Sequence, residues 1–291
     1  MDDEVVGGWH LDAETRVALR LDSVRKALDS GDFGTAIIEC EELLDEEPEH
    51  PEALFLLAEA LLELNDAEGA CEVYGQFIEI AKSDPSVADP ARLAAATAGL
   101  AIARFETCDL AGAIEAAREA IKRAPDLAEA HFYLGLAYEK SPAKNTQERQ
   151  SLNAASVSEF LAAHQLDPEA FPLPLAITPD RWSMLLTEAV RQLPRDLRTF
   201  WDGIPMPFEK CPSIEELRKS DPPTTPTVSG WMEGELEEDE DPHHKHPTSL
   251  RWFTDNLARL GDEDRIVTEM TNTLIREACF WLGEEPEERF G

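Results

Sequence analysis

Small residues and prolines recur at a fixed spacing through the first half of the chain. Ala36 is followed twelve residues later by Pro48, and Ala113 is followed twelve residues later by Pro125. The surrounding sequence is rich in alanine, leucine and glutamate, which predicts helices rather than strands. Because one helix pair of a repeat cannot bury its apolar face alone, the pattern predicts a stacked array of helix pairs.

The spacing resembles that of the tetratricopeptide repeat, which has a period of about 34 residues. The best single match comprises Leu134, Gly135, Tyr138, Phe160, Ala163 and Pro168. The resemblance implies a mainly α chain that begins with an α-solenoid of about four helix pairs. We place the repeats at residues 17–50, 51–84, 94–127 and 128–170.

The resemblance also implies a binding scaffold whose concave face is lined by the first helix of each pair. In our register that face combines acidic and aromatic residues, namely Glu52, Phe55, Glu59, Glu63, Phe105, Glu106, Glu129, Phe132 and Glu139. Carboxylates beside aromatic anchors suit a basic, partly apolar peptide or helix. In the alternative interpretation, the phenylalanines belong to the core and the glutamates only face solvent.

The composition restricts the classes of partner. The chain has 60 acidic and 26 basic residues and a net charge of −34, so nucleic acid and anionic membranes would repel it. The charge favours basic proteins as partners or serves solubility alone, and a solvated acidic surface is the preferred explanation. The acidic N-terminus lacks the pattern of a signal peptide, and the five cysteines form no CxxC pair, as is usual in a reducing compartment. We therefore predict a cytoplasmic protein that does not insert into a membrane.

A proline-dense stretch divides the chain. We predict a flexible N-terminus at 1–12, the repeat array at 13–170, a linker at 171–180 and a second domain at 181–291. The second domain resembles a small bacterial family of zinicin-like metallopeptidases in the order of its motifs, which are Leu193-Pro194, a Gly-aromatic strand from Gly230 to Gly234, and a helix near the C-terminus. The resemblance implies a small α+β fold.

The C-terminal helix departs from that family at the metal ligands. The family's His-Glu-x-x-His-x-x-Gly motif is represented here by Arg276, Glu277, Phe280 and Gly283, with Glu285 near the acidic third ligand. A guanidinium and a benzene ring have no lone pair to give to zinc. We therefore expect no zinc, no other cofactor and no catalysis, and we regard these five positions as vestigial.

A histidine cluster leaves one alternative open. His243, His244 and His246 follow the acidic run Glu233–Asp241 and could replace the missing ligands, but an exposed polar loop is the favoured explanation, because a flexible loop loses much conformational entropy when it chelates a metal. The leading hypothesis is a non-catalytic adaptor. The architecture resembles that of a myxobacterial polarity regulator, which implies a small Ras-like GTPase and its activating protein as partners. A metallopeptidase with atypical ligands and a chaperone or assembly factor for basic clients are the alternatives.

Overall fold

The computed structural model describes residues 13–220, 224–236 and 245–283. Its contacts divide the chain into two compact units, Met1–Glu159 and Phe160–Gly291. The division falls within a helix, whereas the sequence suggests a boundary after residue 170. The predicted linker contributes to the second unit, because the Leu175 amide donates to the Ala258 carbonyl at 3.0 Å.

The first unit is a succession of helices that confirms the predicted α-solenoid. They are α1 (Ala13–Ser30), α2 (Phe33–Glu46), α3 (Pro51–Glu63), α4 (Ala67–Ser83), α5 (Pro90–Glu106), α6 (Leu110–Arg123), α7 (Ala128–Lys140) and α8 (Thr146–Leu166). The first three predicted repeats coincide with the contacting pairs α1–α2, α3–α4 and α5–α6. Helices α7 and α8 follow in the range of the fourth, and α8 continues past Glu159 into the second unit. Ala36, Ala70 and Ala113 are at most 1% exposed, as expected for small residues where paired helices approach closely.

The same turn joins the two helices of the first three pairs. Gly31, Asn65 and Cys108 each adopt a positive φ, at 76°, 62° and 62°. An aspartate follows each of them and accepts a hydrogen bond from the amide three residues later, as Asp66 does from Gly69 at 2.9 Å. The left-handed residue ends one helix and the aspartate begins the next, because each satisfies backbone groups that the helix ends leave unpaired.

The second unit combines helices with a small sheet. Its elements are α9 (Pro179–Gln192), α10 (Arg195–Phe200), β1 (Phe208–Glu209), α11 (Ile214–Lys219), β2 (Gly230–Leu236), β3 (Lys245–Phe253), α12 (Thr254–Ala258) and α13 (Glu263–Leu282). The strand order is β1-β3-β2, with β1 parallel and β2 antiparallel to β3. Trp182, Trp201 and Trp252 pack in its core with buried residues of α13.

Two prolines precede strand β1 and take part in the edge of the sheet. The Leu250 and Trp252 amides of β3 donate to the carbonyls of Pro205 and Pro207, each at 2.9 Å. Proline lacks an N–H but can accept a hydrogen bond, so this segment is tolerated at the edge of the sheet. In the ranges that the structure describes, no helix combines the length and the apolar composition needed to cross a membrane.

Candidate functional site

The first helices of the repeats form a continuous face. Helix α3 contacts α1 and α5, and α5 contacts α7. We call the surface that α3, α5 and α7 share the groove. It contains Phe55, Glu59 and Glu63 from α3, Arg92 and Glu106 from α5, and Glu129, Phe132 and Tyr133 from α7.

Tyr74, which belongs to a second helix, reaches the floor of the groove. Its ring lies against the backbone of α5 at Gly99, where an added Cβ would come within 2.4 Å of Cζ and 2.6 Å of the hydroxyl oxygen. Tyr74 is only 3% exposed. Burial, followed by the negative charges of Glu59, Glu129 and Glu63, raises its pKa above the ordinary value. The Tyr74 side chain therefore stays neutral and lies close to three groove carboxylates.

Tyr133 supports the other end of the groove. Its ring meets Phe105 and Phe132 edge-on, with centroids 5.6 and 5.7 Å apart. Burial is the largest cause of its raised pKa, followed by the charges of Glu106 and Glu129, and its hydroxyl is hydrogen-bonded to Glu106. Such edge-to-face pairs fix the rings in place and keep this end of the groove rigid.

Three groove carboxylates are close enough to affect each other's ionisation. Loss of hydration on burial raises the pKa of Glu59 to about 7, which Arg92 opposes and the charges of Glu129 and Glu63 reinforce. Although much of the Glu129 side chain is exposed, loss of hydration and the charge of Glu63 raise its pKa as well. In the described part of the chain, Glu59, Glu63 and Glu129 have no hydrogen bond or ion pair.

Arg92 lies at one edge of the groove. Its guanidinium is 5.7 Å from the Phe55 ring centroid and 3.7 Å from Glu52, which also pairs with Arg25 at 2.5 Å. Phe55 is half-buried and packs against Phe77 at 5.7 Å. Two arginines thus compensate the charge of Glu52, which differs in this respect from the carboxylates further along α3.

Two of the predicted groove residues differ from expectation. Phe105 is fully buried, so it supports Tyr133 from beneath and cannot contact a partner. Its position at the end of α5 turns the ring into the layer between helices. Glu139 is half-buried and lies 3.3 Å from the ammonium of Lys140, whose side chain is only 1% exposed. The Glu139 charge is therefore compensated within α7.

Sequence reasoning missed Tyr74, Gly99, Arg92 and Tyr133. Gly99 gives a readable signal, because a glycine inside an otherwise alanine-rich helix costs about 1 kcal/mol relative to alanine and indicates a close approach. On sequence, Tyr74 is indistinguishable from the large residues that fill the space between helix pairs in such repeats. Tyr74 both packs and lines the groove, because its ring fills the space between two helix pairs and its hydroxyl reaches the groove on the other side of α5.

Comparisons with known proteins agree with this architecture. Two family models described as tetratricopeptide repeat match residues 27–96 and 98–155. Residues 27–155 thus carry tetratricopeptide repeats. Proteins use such repeats as interaction scaffolds, so this part of the chain is a module for protein partners. No match was found among curated proteins.

Several solved structures resemble the chain at low identity. A crystal structure of MamA is 22% identical, with 50% of this chain and 75% of that chain covered and a TM-score of 0.40. A MamA RS-1 double mutant is 19% identical over 52% and 75%, also with a TM-score of 0.40. An O-GlcNAc transferase mutant of Thermobaculum terrenum is 16% identical over 68% of this chain and 32% of that chain, with a TM-score of 0.43.

Outside the tetratricopeptide repeats, the C-terminal helix carries the positions that resemble a peptidase motif. Arg276 and Phe280 are both exposed, and Phe280 is 58% exposed. Glu277 is half-buried and lies 3.6 Å from Arg276. Burial raises the pKa of Glu277, and Arg276 opposes this shift. Gly283 ends α13 in the left-handed conformation, at a φ of 70°.

The remaining candidate ligands lie outside the described residues. These are Glu285, His243 and His244, together with the side chain of His246. Within 13–220, 224–236 and 245–283, no group of three or more His, Cys, Asp or Glu residues could hold a metal ion.

Arg251 forms a second charged cluster, on the sheet of the second unit. Its guanidinium lies 3.0 Å from Glu233, 3.4 Å from Glu209 and 3.5 Å from Glu216. It also covers the Trp231 ring at 5.2 Å from the centroid. The three carboxylates come from β2, β1 and α11, so this cluster ties together the elements of the unit.

Proposed function

We propose that the protein is a non-catalytic adaptor that binds a protein partner in the groove of its repeat array. The partner presents a basic segment with apolar side chains. The supporting observation is that Glu59, Glu63 and Glu129 have no hydrogen bond or ion pair in the described chain, and that α7 carries the half-buried ring of Phe132 three residues after Glu129. Carboxylates that have no internal cation at contact distance attract a cation from outside.

The physical argument combines steering with anchoring. A net charge of −34 attracts basic proteins at long range and raises their rate of association. The rings of Phe55 and Phe132 provide apolar area at the surface, and half-buried aromatics of this kind supply much of the energy of many interfaces. Tyr74 and Tyr133 pack beneath the groove and hold its surface in place, so little conformational entropy is lost on binding.

Selection from a phage-displayed random peptide library on the full chain tests this proposal. We expect enrichment of peptides that combine lysine or arginine with apolar residues. The enriched peptides should lose binding to the double variant Glu59→Gln, Glu129→Gln and to Phe132→Ala. They should keep binding to Glu68→Gln, Glu115→Gln, whose exposed carboxylates lie on second helices. Enrichment of acidic peptides, or equal binding to both double variants, would overturn the proposal.

A finer proposal concerns the identity of the partner. The pairing of a repeat array with a degenerate peptidase-like domain resembles RomY, a myxobacterial polarity regulator, and implies a Ras-like GTPase and its Roadblock-fold activating protein. We expect the full chain to accelerate GTP hydrolysis by such a pair and to lose this effect in the groove double variant. Unchanged hydrolysis would rule out this partner and leave the groove proposal standing.

The second unit is proposed to be an inactive relative of the zinicin-like peptidases that offers another protein-binding surface. Metal analysis of the dialysed full chain separates this proposal from a peptidase with atypical ligands. We expect zinc far below one equivalent. Stoichiometric zinc that disappears in Glu277→Gln would instead favour the enzyme. Binding of many unrelated basic proteins, abolished by moderate salt, would favour a chaperone.

A further inference from the structure

We infer that the groove contains a pocket for the cationic head group of one lysine or arginine side chain, held by Glu59, Glu63 and Glu129 over the hydroxyl of Tyr74. This inference rests on the proposed function. It specifies which chemical group of the partner the groove recognises.

Tyr74 provides the first argument, because its hydroxyl lacks a partner. The residue is only 3% exposed, and its hydroxyl forms no hydrogen bond with the described chain. The other two tyrosines are satisfied: Tyr138 accepts from Arg118 at 2.8 Å, and Tyr133 bonds to Glu106. The hydroxyl oxygen is not one of the described side-chain atoms that are both fully enclosed and unpaired, so it reaches the surface of the groove. An N–H donor from a bound side chain would hydrogen-bond to it in place of solvent.

The position of the Tyr74 hydroxyl is fixed by α5. Gly99 provides the space, since a Cβ there would lie 2.6 Å from the hydroxyl oxygen. The Phe55 ring meets the Tyr74 ring edge-on, with centroids 6.3 Å apart. The hydroxyl is therefore held between α3 and α5, and the carboxylates whose charges it senses come from α3 and α7.

The charges around this point favour a cation. The groups that face Glu59 are Glu63 on α3, Tyr74 on α4, Arg92 on α5 and Glu129 on α7, while Glu106 of α5 is engaged by Tyr133. Arg92 is the cation among them, and it lies against Phe55 and Glu52 at the edge. A bound ammonium or guanidinium would stabilise the ionised carboxylates and would donate to several oxygens at once.

The three tyrosines of the chain allow a direct test. The full chain, labelled with ¹³C-tyrosine, would be titrated with methylguanidinium and, separately, n-butylammonium, and followed by NMR. We expect a saturable shift of the Tyr74 signal with one or both probes, a smaller shift of Tyr133 and none of Tyr138. The probe that saturates at lower concentration identifies arginine or lysine as the recognised residue. Equal, non-saturating shifts of all three tyrosines would overturn the inference.

Three variants and a pH series make the test specific. Glu59→Gln, Glu129→Gln should abolish the saturable shift, while Glu115→Gln should leave it unchanged. Tyr74→Phe keeps the ring and should weaken binding about three- to tenfold, as read from Tyr133. Because the pKa of Glu59 is about 7, apparent affinity should fall about tenfold from pH 8 to pH 6. Equal affinity at the two values would count against the pocket.

The outcomes separate this inference from the function on which it rests. Saturable probe binding without groove-dependent peptides would leave the pocket standing and remove the adaptor role of the groove. Groove-dependent peptides that lack an essential lysine or arginine, or that methylguanidinium and n-butylammonium fail to displace, would keep the adaptor role and overturn the pocket.

Discussion

The two units treat their charges in opposite ways. In the second unit, three glutamates from three elements surround Arg251 at 3.0–3.5 Å, so each of these carboxylates has a cation at contact distance, although the cluster keeps a net charge of −2. In the repeat array, Glu59, Glu63 and Glu129 lie near each other without a cation at contact distance in the described chain. The first arrangement is typical of structure, and the second is typical of a binding surface.

The aromatic residues differ in the same way. The core of the second unit contains Trp182, Trp201 and Trp252. The repeat array is built largely on alanines and places its tyrosines between the helices, where Tyr74 carries a hydroxyl to the groove. A tryptophan core stabilises a small unit that has only a three-stranded sheet. Small residues let helices approach, and the tyrosines then reach the far side of the array.

The largest expected effect is the loss of a buried tryptophan in the second unit. Trp252→Ala removes a fully buried ring and should lower the free energy of unfolding by about 3–5 kcal/mol. Urea denaturation followed by tryptophan fluorescence measures it. Phe280→Ala, at an exposed position of the same unit, is the matched control and should change stability by less than about 0.5 kcal/mol. Equal losses would contradict the assignment of the core.

A smaller loss is expected from one glycine of the array. Gly99→Ala should destabilise the array by about 1–3 kcal/mol, because the new methyl group overlaps the Tyr74 ring. Circular dichroism during urea denaturation measures this change. Gly75→Ala in α4 meets no atom within 4 Å and should instead stabilise by up to about 1 kcal/mol. Stabilisation by both substitutions would show that Tyr74 does not lie against α5.

The Glu59 carboxylate should destabilise the folded array when it is ionised. The pKa of Glu59 is raised to about 7 in the folded chain, so the folded state holds its proton more tightly than the unfolded state. Stability is therefore lost as the pH rises from about 4.5 to 7. Glu59→Gln should stabilise the array by about 1–2 kcal/mol at pH 8 and by far less at pH 5. Thermal denaturation at both pH values measures this difference.

The smallest effect should have the opposite sign in the second unit. Glu233→Gln removes a carboxylate 3.0 Å from Arg251 and should destabilise by about 0.2–1 kcal/mol, since the pair is partly exposed. The measurement is urea denaturation at pH 8, followed by tryptophan fluorescence. Stabilisation by this substitution, as predicted for Glu59→Gln, would remove the contrast between the two units.

The sequence predicted the array well because its signals are local. The spacing of Ala36, Ala70 and Ala113 reports helix packing, and the repeats follow from it. Groove chemistry was harder to predict, because Tyr74 and Gly99 are 25 positions apart in the chain and meet only when α4 packs on α5. The prediction that Phe105 lies on the surface is wrong for the same reason: its burial depends on the packing of α5 against α7, which the local sequence does not report.

The second unit was predicted less well. The final helix was found because Gly283 and the apolar spacing mark it. Strand β3 spans Lys245–Phe253 and is followed at once by α12, a change of structure that the local sequence does not mark. Sheet pairing depends on partners far along the chain, and residues such as Thr254 and Asp255 start a helix only after the strand has fixed their position. The Arg251 cluster joins residues from elements that are far apart in the sequence, so no local sequence pattern predicts it.

The affinity of a selected basic peptide for matched variants tests the central claim most directly. Calorimetry at pH 8 would compare the full chain with Glu59→Gln, Glu129→Gln and with Glu68→Gln, Glu115→Gln, which remove the same charge. We predict at least about tenfold weaker binding for the groove pair, or about 1.4 kcal/mol, and an unchanged Kd for the second-helix pair. Equal weakening by both pairs would show that only the overall charge matters and would contradict a groove-specific site.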